Sequence, residues 1–141
     1  MVRRTARHVA ALETSDADDV WRVSGMEHVV LTTVGRRSGA PHKVALAIWR
    51  EPDGTAVVAG SANGEDHHPA WFLNLRDREA PEVHCRVQHG QFWSVPEILD
   101  GDEYDQVWQC LVDDRPFFAD YAKDIDRTIP LVRLPKTRPA S

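Results

Sequence analysis

What the chain lacks narrows its function before any motif is considered. Only two cysteines occur, Cys85 and Cys110, too few for a disulfide scaffold, so reduced, inert thiols are expected. Long hydrophobic runs are missing: the longest, around Val44 to Trp49, falls far below the roughly 20 residues that span a bilayer. The opening carries Arg3, Arg4 and Arg7, but the apolar stretch Val9 to Leu12 that follows stops at Glu13 and is too short for a signal peptide. A cytoplasmic protein without membrane contact is expected. Basic excess is also absent. The formal net charge of -5 argues against a protein whose main business is gripping nucleic acid, which needs clustered cations to neutralise phosphates. Metal-ligand spacing is missing too. His67, His68, His84, Cys85 and His89 form neither a CxxC pair nor an HExxH helix, and neighbouring His84 and Cys85 point to opposite faces of a strand, so no metal is expected.

What remains, 141 residues with 42% hydrophobic and 28% charged, suits one globular domain with its own core. Residues 1–25 read as a tail and a short helix from Asp16 to Trp21, residues 26–135 as the domain, and residues 136–141 as a loose tail. His28 to Thr33 is rich in β-branched residues and runs into Gly35, which marks a strand meeting a turn. Lys43 to Trp49 places Val44, Leu46 and Ile48 on one face at period two, and after the turn Pro52-Asp53-Gly54 the segment Thr55 to Ala59 pairs back. Pro69 suits the first turn of a helix over Pro69 to about Asp77. Glu82 to Val87 and Gln91 to Leu99 form a hairpin about His89-Gly90. Tyr104, Val107, Trp108, Leu111 and Val112 repeat at amphipathic spacing behind acidic Asp102 and Glu103, and a second helical piece runs near Phe117 to Lys123. Ile129 to Leu134 closes the chain as a strand, and Pro130 within it predicts an edge or a bulge. About six strands in consecutive hairpins with helices outside predict a mostly β or α+β antiparallel barrel rather than a doubly wound parallel sheet.

Two loops carry chemistry. In Gly35-Arg36-Arg37-Ser38-Gly39, followed by Pro41, His42 and Lys43, backbone N–H groups, a hydroxyl and several cations meet where an anion can be held. Read alone, the same loop is equally a glycine-bounded turn with two solvated arginines. Gly60-Ser61-Ala62-Asn63-Gly64 leads into Pro69-Ala70-Trp71-Phe72, where small residues before an aromatic helix can form a flat slot for a ring. By themselves Trp71 and Phe72 read as core.

Leu31-Thr32-Thr33-Val34-Gly35-Arg36-Arg37-Ser38-Gly39, Gly60-Ser61, His68-Pro69-Ala70-Trp71-Phe72-Leu73-Asn74-Leu75 and Asp126-Arg127-Thr128-Ile129-Pro130 together resemble the deazaflavin (F420)-dependent nitroreductase family in order and spacing. The resemblance spans roughly residues 27 to 134. It implies a split β-barrel like those of FMN-binding oxidoreductases, and an enzyme that binds F420, with its anionic phosphate and oligoglutamate tail. It further implies hydride transfer from the reduced ring to an electron-poor small molecule such as a quinone, enone or nitroaromatic. Carried onto this chain, Arg36, Arg37 and Ser38 hold phosphate, and His42 and Lys43 sit near the tail. Leu46, Ser61, Ala62, Pro69, Trp71 and Asn74 line the ring, and Asn63 also binds the coenzyme. Ser61 bonds the ring's polar edge, Tyr121 stabilises or protonates the product, and Phe118, Tyr121 and Trp71 contact the acceptor. The chain departs from the family at Phe118, where a hydroxyl is often found, at Ala62 and Asn63, which replace a lysine and a glycine, and at His42, where arginine is usual. An FMN-dependent reductase and a non-catalytic carrier of a tetrapyrrole or fatty acid are the alternatives on the same barrel. A homodimer is an outcome the resemblance allows.

Overall fold

A computed structural model describes residues 9–15, 17, 21, 26–35, 38–61, 67–77, 82–125 and 127–140. Along these residues lie nine strands and, besides the helical Trp21, four helical segments. A helix including residues 9–14 (α1) precedes β1 (His28–Val34), β2 (Pro41–Ala47), β3 (Trp49–Arg50) and β4 (Ala56–Ala59). Then come α2 (Ala70–Asp77), β5 (Val83–Val87), β6 (Gly90–Ser94), β7 (Glu97–Ile98), α3 (Gly101–Asp114), α4 (Phe117–Asp124), β8 (Leu131–Leu134) and β9 (Arg138–Pro139).

The strands form two antiparallel sheets, ordered β2-β1-β5-β6-β9 and β3-β4-β8-β7. Six long strands in one barrel were the expectation. The count rises to nine because two of the expected strands each turn a corner between sheets and the expected C-terminal tail adds β9. Lys43 to Trp49 breaks at Ile48, which is 1% exposed: its N–H donates to the Glu27 carbonyl at 2.8 Å and its own carbonyl accepts from Arg115 Nη2 at 2.9 Å. Gln91 to Leu99 breaks at Val95-Pro96, where proline has no N–H to give a ladder. Pro130 also falls outside its predicted strand. β8 starts one residue later and is central, between β4 and β7, so the predicted edge or bulge is corrected.

Strand alternation sorts side chains onto three clusters. Val29 and Leu31 of β1, Ala56 and Val58 of β4, and Val132 and Leu134 of β8 face a shared interior, which Trp71, Phe72 and Leu75 of α2 also fill. Val57 and Leu131 point out of the second sheet and are covered by Val107 and Leu111 of α3 and Phe118 of α4. Val30 points out of the first sheet onto Val9, Leu12 and Trp21. Leu12 and Trp21 are fully buried, and Arg138–Pro139 pairs with Phe92 and Trp93, so the expected C-terminal tail carries packed structure, while the basic opening with Arg3, Arg4 and Arg7 lies outside the described residues. The predicted helix from Asp16 to Trp21 lies largely outside the described residues. Among the described residues no helix is long and apolar enough to cross a membrane.

Candidate functional site

The first glycine loop closes as a tight turn. Gly35 N–H donates to the Ala40 carbonyl at 2.8 Å, Gly39 N–H donates back to the Gly35 carbonyl at 2.9 Å, and Gly39 takes φ 71°, a value that favours glycine. Ser38 Oγ accepts from Ala40 N–H at 3.1 Å. A Cβ built on Gly35 would stand 2.6 Å from Ser38 Oγ and 2.8 Å from His42 Nε2, so only glycine lets these two polar groups close over the backbone. The structure thereby brings Ser38 and His42 together. Lys43, next along β2, points to the opposite face, where its Nζ meets Glu13 Oε2 of α1 at 2.6 Å. Period two separates it from His42, a fact already implicit in the strand pattern. Arg36 and Arg37 lie outside the described residues.

The second glycine loop starts where β4 ends. Gly60 N–H donates to the Pro130 carbonyl at 2.8 Å, and a Cβ on Gly60 would come within 2.6 Å of Pro130 Cγ, so this glycine is required by close packing. Half-buried Ser61 follows, and Ala62 and Asn63 lie outside the described residues. Arg127 ties the loop down. Its Nη1 donates to the Gly60 carbonyl at 2.8 Å and contacts His68 Nδ1 at 3.2 Å, and its Nη2 donates to the Ser61 carbonyl at 2.9 Å. His68 is held below the ordinary histidine pKa of 6.5, first by burial and then by the positive charges of Arg127 and Arg76. The contact therefore joins a guanidinium donor to a neutral imidazole acceptor.

α2 links the two loops. Pro69 opens it, its carbonyl accepting from Phe72 N–H and Leu73 N–H, and buried Asn74 donates through Nδ2 to Thr33 Oγ1 at 3.2 Å near the end of β1. Trp71 is 6% exposed and packs in the interior cluster, against which Leu46 also lies. Phe118 and Tyr121 are in a different place: their rings meet edge to face, 6.0 Å apart, in the cluster outside the second sheet. Among the candidates, then, Ser38, His42, Leu46, Trp71 and Asn74 belong to the first sheet and α2, Ser61 and Pro69 to the Arg127 clamp, and Phe118 and Tyr121 to the second sheet's outer face.

The remaining reactive groups stay apart. Burial pushes the Cys85 thiol up to about 12, which keeps it protonated and inert, while Cys110 is exposed on α3. His84 Nε2 meets Gln91 Oε1 at 2.8 Å on the face opposite buried Cys85. Among the described residues no three His, Cys, Asp or Glu side chains gather as a metal site.

Two antiparallel sheets around one interior, with glycine loops at the ends of β1 and β4 joined by a short helix, define a class of small α+β proteins. It includes the F420-H2 dependent reductase FDR-A, 27% identical over 77% of this chain and 93% of that one, with a TM-score of 0.65. A structure described as a domain-swapped dimer is 26% identical over 95% of this chain and 96% of that one, with a TM-score of 0.69. The heme storage protein HutZ of Vibrio cholerae, 17% identical over 81% of this chain and 82% of that one, with a TM-score of 0.54, shares the fold alone. Within the class the chain belongs to the F420H(2)-dependent quinone reductase family, whose model matches residues 3–135. It is an F420-dependent oxidoreductase, and the FMN alternative finds no support in these matches.

Proposed function

We propose that this chain binds F420 and, with the coenzyme reduced, catalyses two-electron reduction of an electron-poor small molecule, a quinone, enone or nitroaromatic. Bound and reduced, the coenzyme would supply a hydride from ring carbon C5. The observation that carries the reading is the close approach at Gly35, where a Cβ would collide and where Ser38 Oγ and His42 Nε2 converge on the backbone, in a loop whose sequence also supplies Arg36 and Arg37. That donor set fits a phosphate: residues 35–42 hold three basic or imidazole side chains and no carboxylate.

In this reading Arg36, Arg37 and Ser38 hold the phosphate, while His42 and Lys43 meet the anionic tail. The Lys43 pair with Glu13 is exposed and worth under about 1 kcal/mol, so Lys43 can exchange it for a stronger anion. Leu46, Ser61, Ala62, Pro69, Trp71 and Asn74 line the ring, and Asn63 also binds the coenzyme. Ser61 offers its hydroxyl to the ring's polar edge because Arg127 has already engaged the Ser61 carbonyl and fixed the backbone. Pro130, Pro69 and Phe72 exclude water from this side. Trp71 and Phe118 contact the acceptor, and the Tyr121 hydroxyl donates to the reduced product. We read the two sheets as the halves of a split barrel, and a homodimer draws support from the domain-swapped relative.

Oxidation of reduced F420 by a panel of quinones, enones and nitroaromatics tests the reaction. Turnover with at least one is expected, and silence from all of them in protein that binds the coenzyme rejects it. In the same assay Tyr121→Phe lowers kcat by about 100-fold, the low end for a lost proton donor. Coenzyme affinity stays within about twofold, since only the hydroxyl is removed. Unchanged turnover would take Tyr121 out of the mechanism.

A further inference from the structure

A cavity of about 520 Å³ opens beside the Arg127 clamp, in the size range of small-molecule pockets. His68, Phe72, Leu99, Tyr104, Thr128 and Pro130 line it, and Asp100 and Gly101 stand at its rim. In the reading above Phe72 and Pro130 exclude water and His68 belongs to the Arg127 clamp, and none of these residues is given a contact with the acceptor. The cavity nevertheless adjoins the coenzyme region on one side, because Pro130 rests against Gly60 and His68 precedes Pro69. On its other side Tyr104 belongs to the cluster that contains Phe118 and Tyr121. The cavity therefore lies between two groups of residues that otherwise share no cluster.

The lining has a definite chemistry. The Tyr104 hydroxyl is committed, donating to the Ile129 carbonyl at 2.6 Å, and its ring is stacked 8° from parallel with Trp108, so Tyr104 offers a fixed aromatic surface rather than a donor. His68 packs its ring 5.0 Å from Phe72 and accepts from Arg127 through Nδ1, which leaves Nε2 as the nitrogen that carries the proton. His68 is thus the lining side chain with an N–H left to donate, among the apolar and aromatic residues Phe72, Leu99, Tyr104 and Pro130. The acidic residue of the lining is Asp100, which begins α3 without a side-chain capping bond; Asp102 follows in the first turn, while Glu103 is paired with Arg133 at 3.2 Å. The nearby cations are engaged elsewhere, Arg127 on the Gly60 and Ser61 carbonyls and Arg76 on Asp77 at 2.9 Å.

We propose that this cavity receives the electron acceptor and selects neutral carbonyl-bearing rings over anionic ones. The ring lies between Tyr104, whose cluster holds Phe118 and Tyr121, and Phe72, whose ring meets Trp71, so the acceptor contacts assigned above flank it on both sides. Its carbonyl oxygen accepts from His68 Nε2–H, and Asp100 repels a negatively charged substituent. The assignment rests on the chain acting as an F420-dependent reductase, and it adds where the acceptor sits and which charge is refused.

The test uses 1,2-naphthoquinone and its 4-sulfonate, a neutral and an anionic form of one ring, with reduced F420 saturating. Thr128 is exposed, so Thr128→Trp fills the cavity without disturbing the core, and it raises KM for 1,2-naphthoquinone by at least about 10-fold. Asp100→Asn keeps the shape and removes the charge, and it raises kcat/KM for the sulfonate relative to the neutral quinone by at least about fivefold, a ratio that a purely structural role for Asp100 leaves unchanged. Equilibrium binding of 1,2-naphthoquinone to protein saturated with oxidised F420 gives a readout without turnover and weakens in Thr128→Trp. Coenzyme titration separates the two ways of failing. Wild-type protein that does not bind F420 overturns the reductase reading and this proposal with it. Normal F420 binding with unaltered KM in Thr128→Trp and an unaltered ratio in Asp100→Asn overturns the cavity assignment alone.

Discussion

Replacing Arg127 by leucine lowers stability by about 2–4 kcal/mol and weakens F420 binding by at least about 10-fold. The guanidinium makes three contacts, to the Gly60 carbonyl, the Ser61 carbonyl and His68 Nδ1, and all are partly buried. A hydrogen bond from a charged donor is worth about 1.5–3 kcal/mol, and partial exposure discounts the sum. Leucine keeps the stem and deletes the fork, stranding two carbonyls that a lysine could not both reach. The pH dependence follows from His68. Its folded pKa lies below 6.5, so its contribution is present above 6.5 and is lost as the pH falls through the folded value. Below that point a charged imidazole faces the guanidinium, and the gap between wild type and Arg127→Leu narrows. Thermal unfolding at two pH values and a fluorescence titration with F420 check both parts. Coenzyme affinity untouched by the substitution would remove the Ser61 loop from the site.

The double variant Arg36→Ala with Arg37→Ala weakens F420 binding by about 100-fold at low ionic strength, the sum expected for two charge-assisted contacts to phosphate after solvent discounting. Salt supplies the diagnostic. Wild-type affinity falls steeply with added salt, and the double variant loses much of that dependence because the screened charges are gone. Two arginines on a chain of net charge -5 are a local exception to the protein's own field, which makes their removal costly to an anionic ligand. Equal affinity and equal salt slope in the two proteins would place the phosphate elsewhere.

Much of this architecture could be read from residue order. The β-branched run from His28 to Thr33 matches β1 over His28–Val34, and the amphipathic spacing from Tyr104 to Val112 with its acidic opening matches α3 over Gly101–Asp114. The corners could not be read. Period two continues without a break through Ile48, although the chain leaves one sheet there and joins the other, because the signal reports only which side a residue faces and not which sheet it belongs to. The ends were misjudged for a related reason. Nothing local marks residues 9–14 or Arg138–Pro139 as structured, and they are held by docking, with Leu12 and Trp21 against Val30 and with β9 against β6.

The candidate site was legible where side chains make the contacts and illegible where backbone does. Ser38 and His42 could be placed beside the first glycine loop from their spacing. Arg127 stood in a motif with no role attached, because its partners are carbonyls 66 and 67 positions away that only the fold brings within reach. The cavity beside it has the same origin, as its walls come from α2, α3 and the approach to β8.

Equilibrium titration of the purified protein with F420, FMN and haem, followed by fluorescence and absorbance, bears most directly on the central claim. Saturable F420 binding that weakens with salt, together with little or no response to FMN or haem, is the predicted result. Tight binding of FMN or haem by protein that ignores F420 would contradict it.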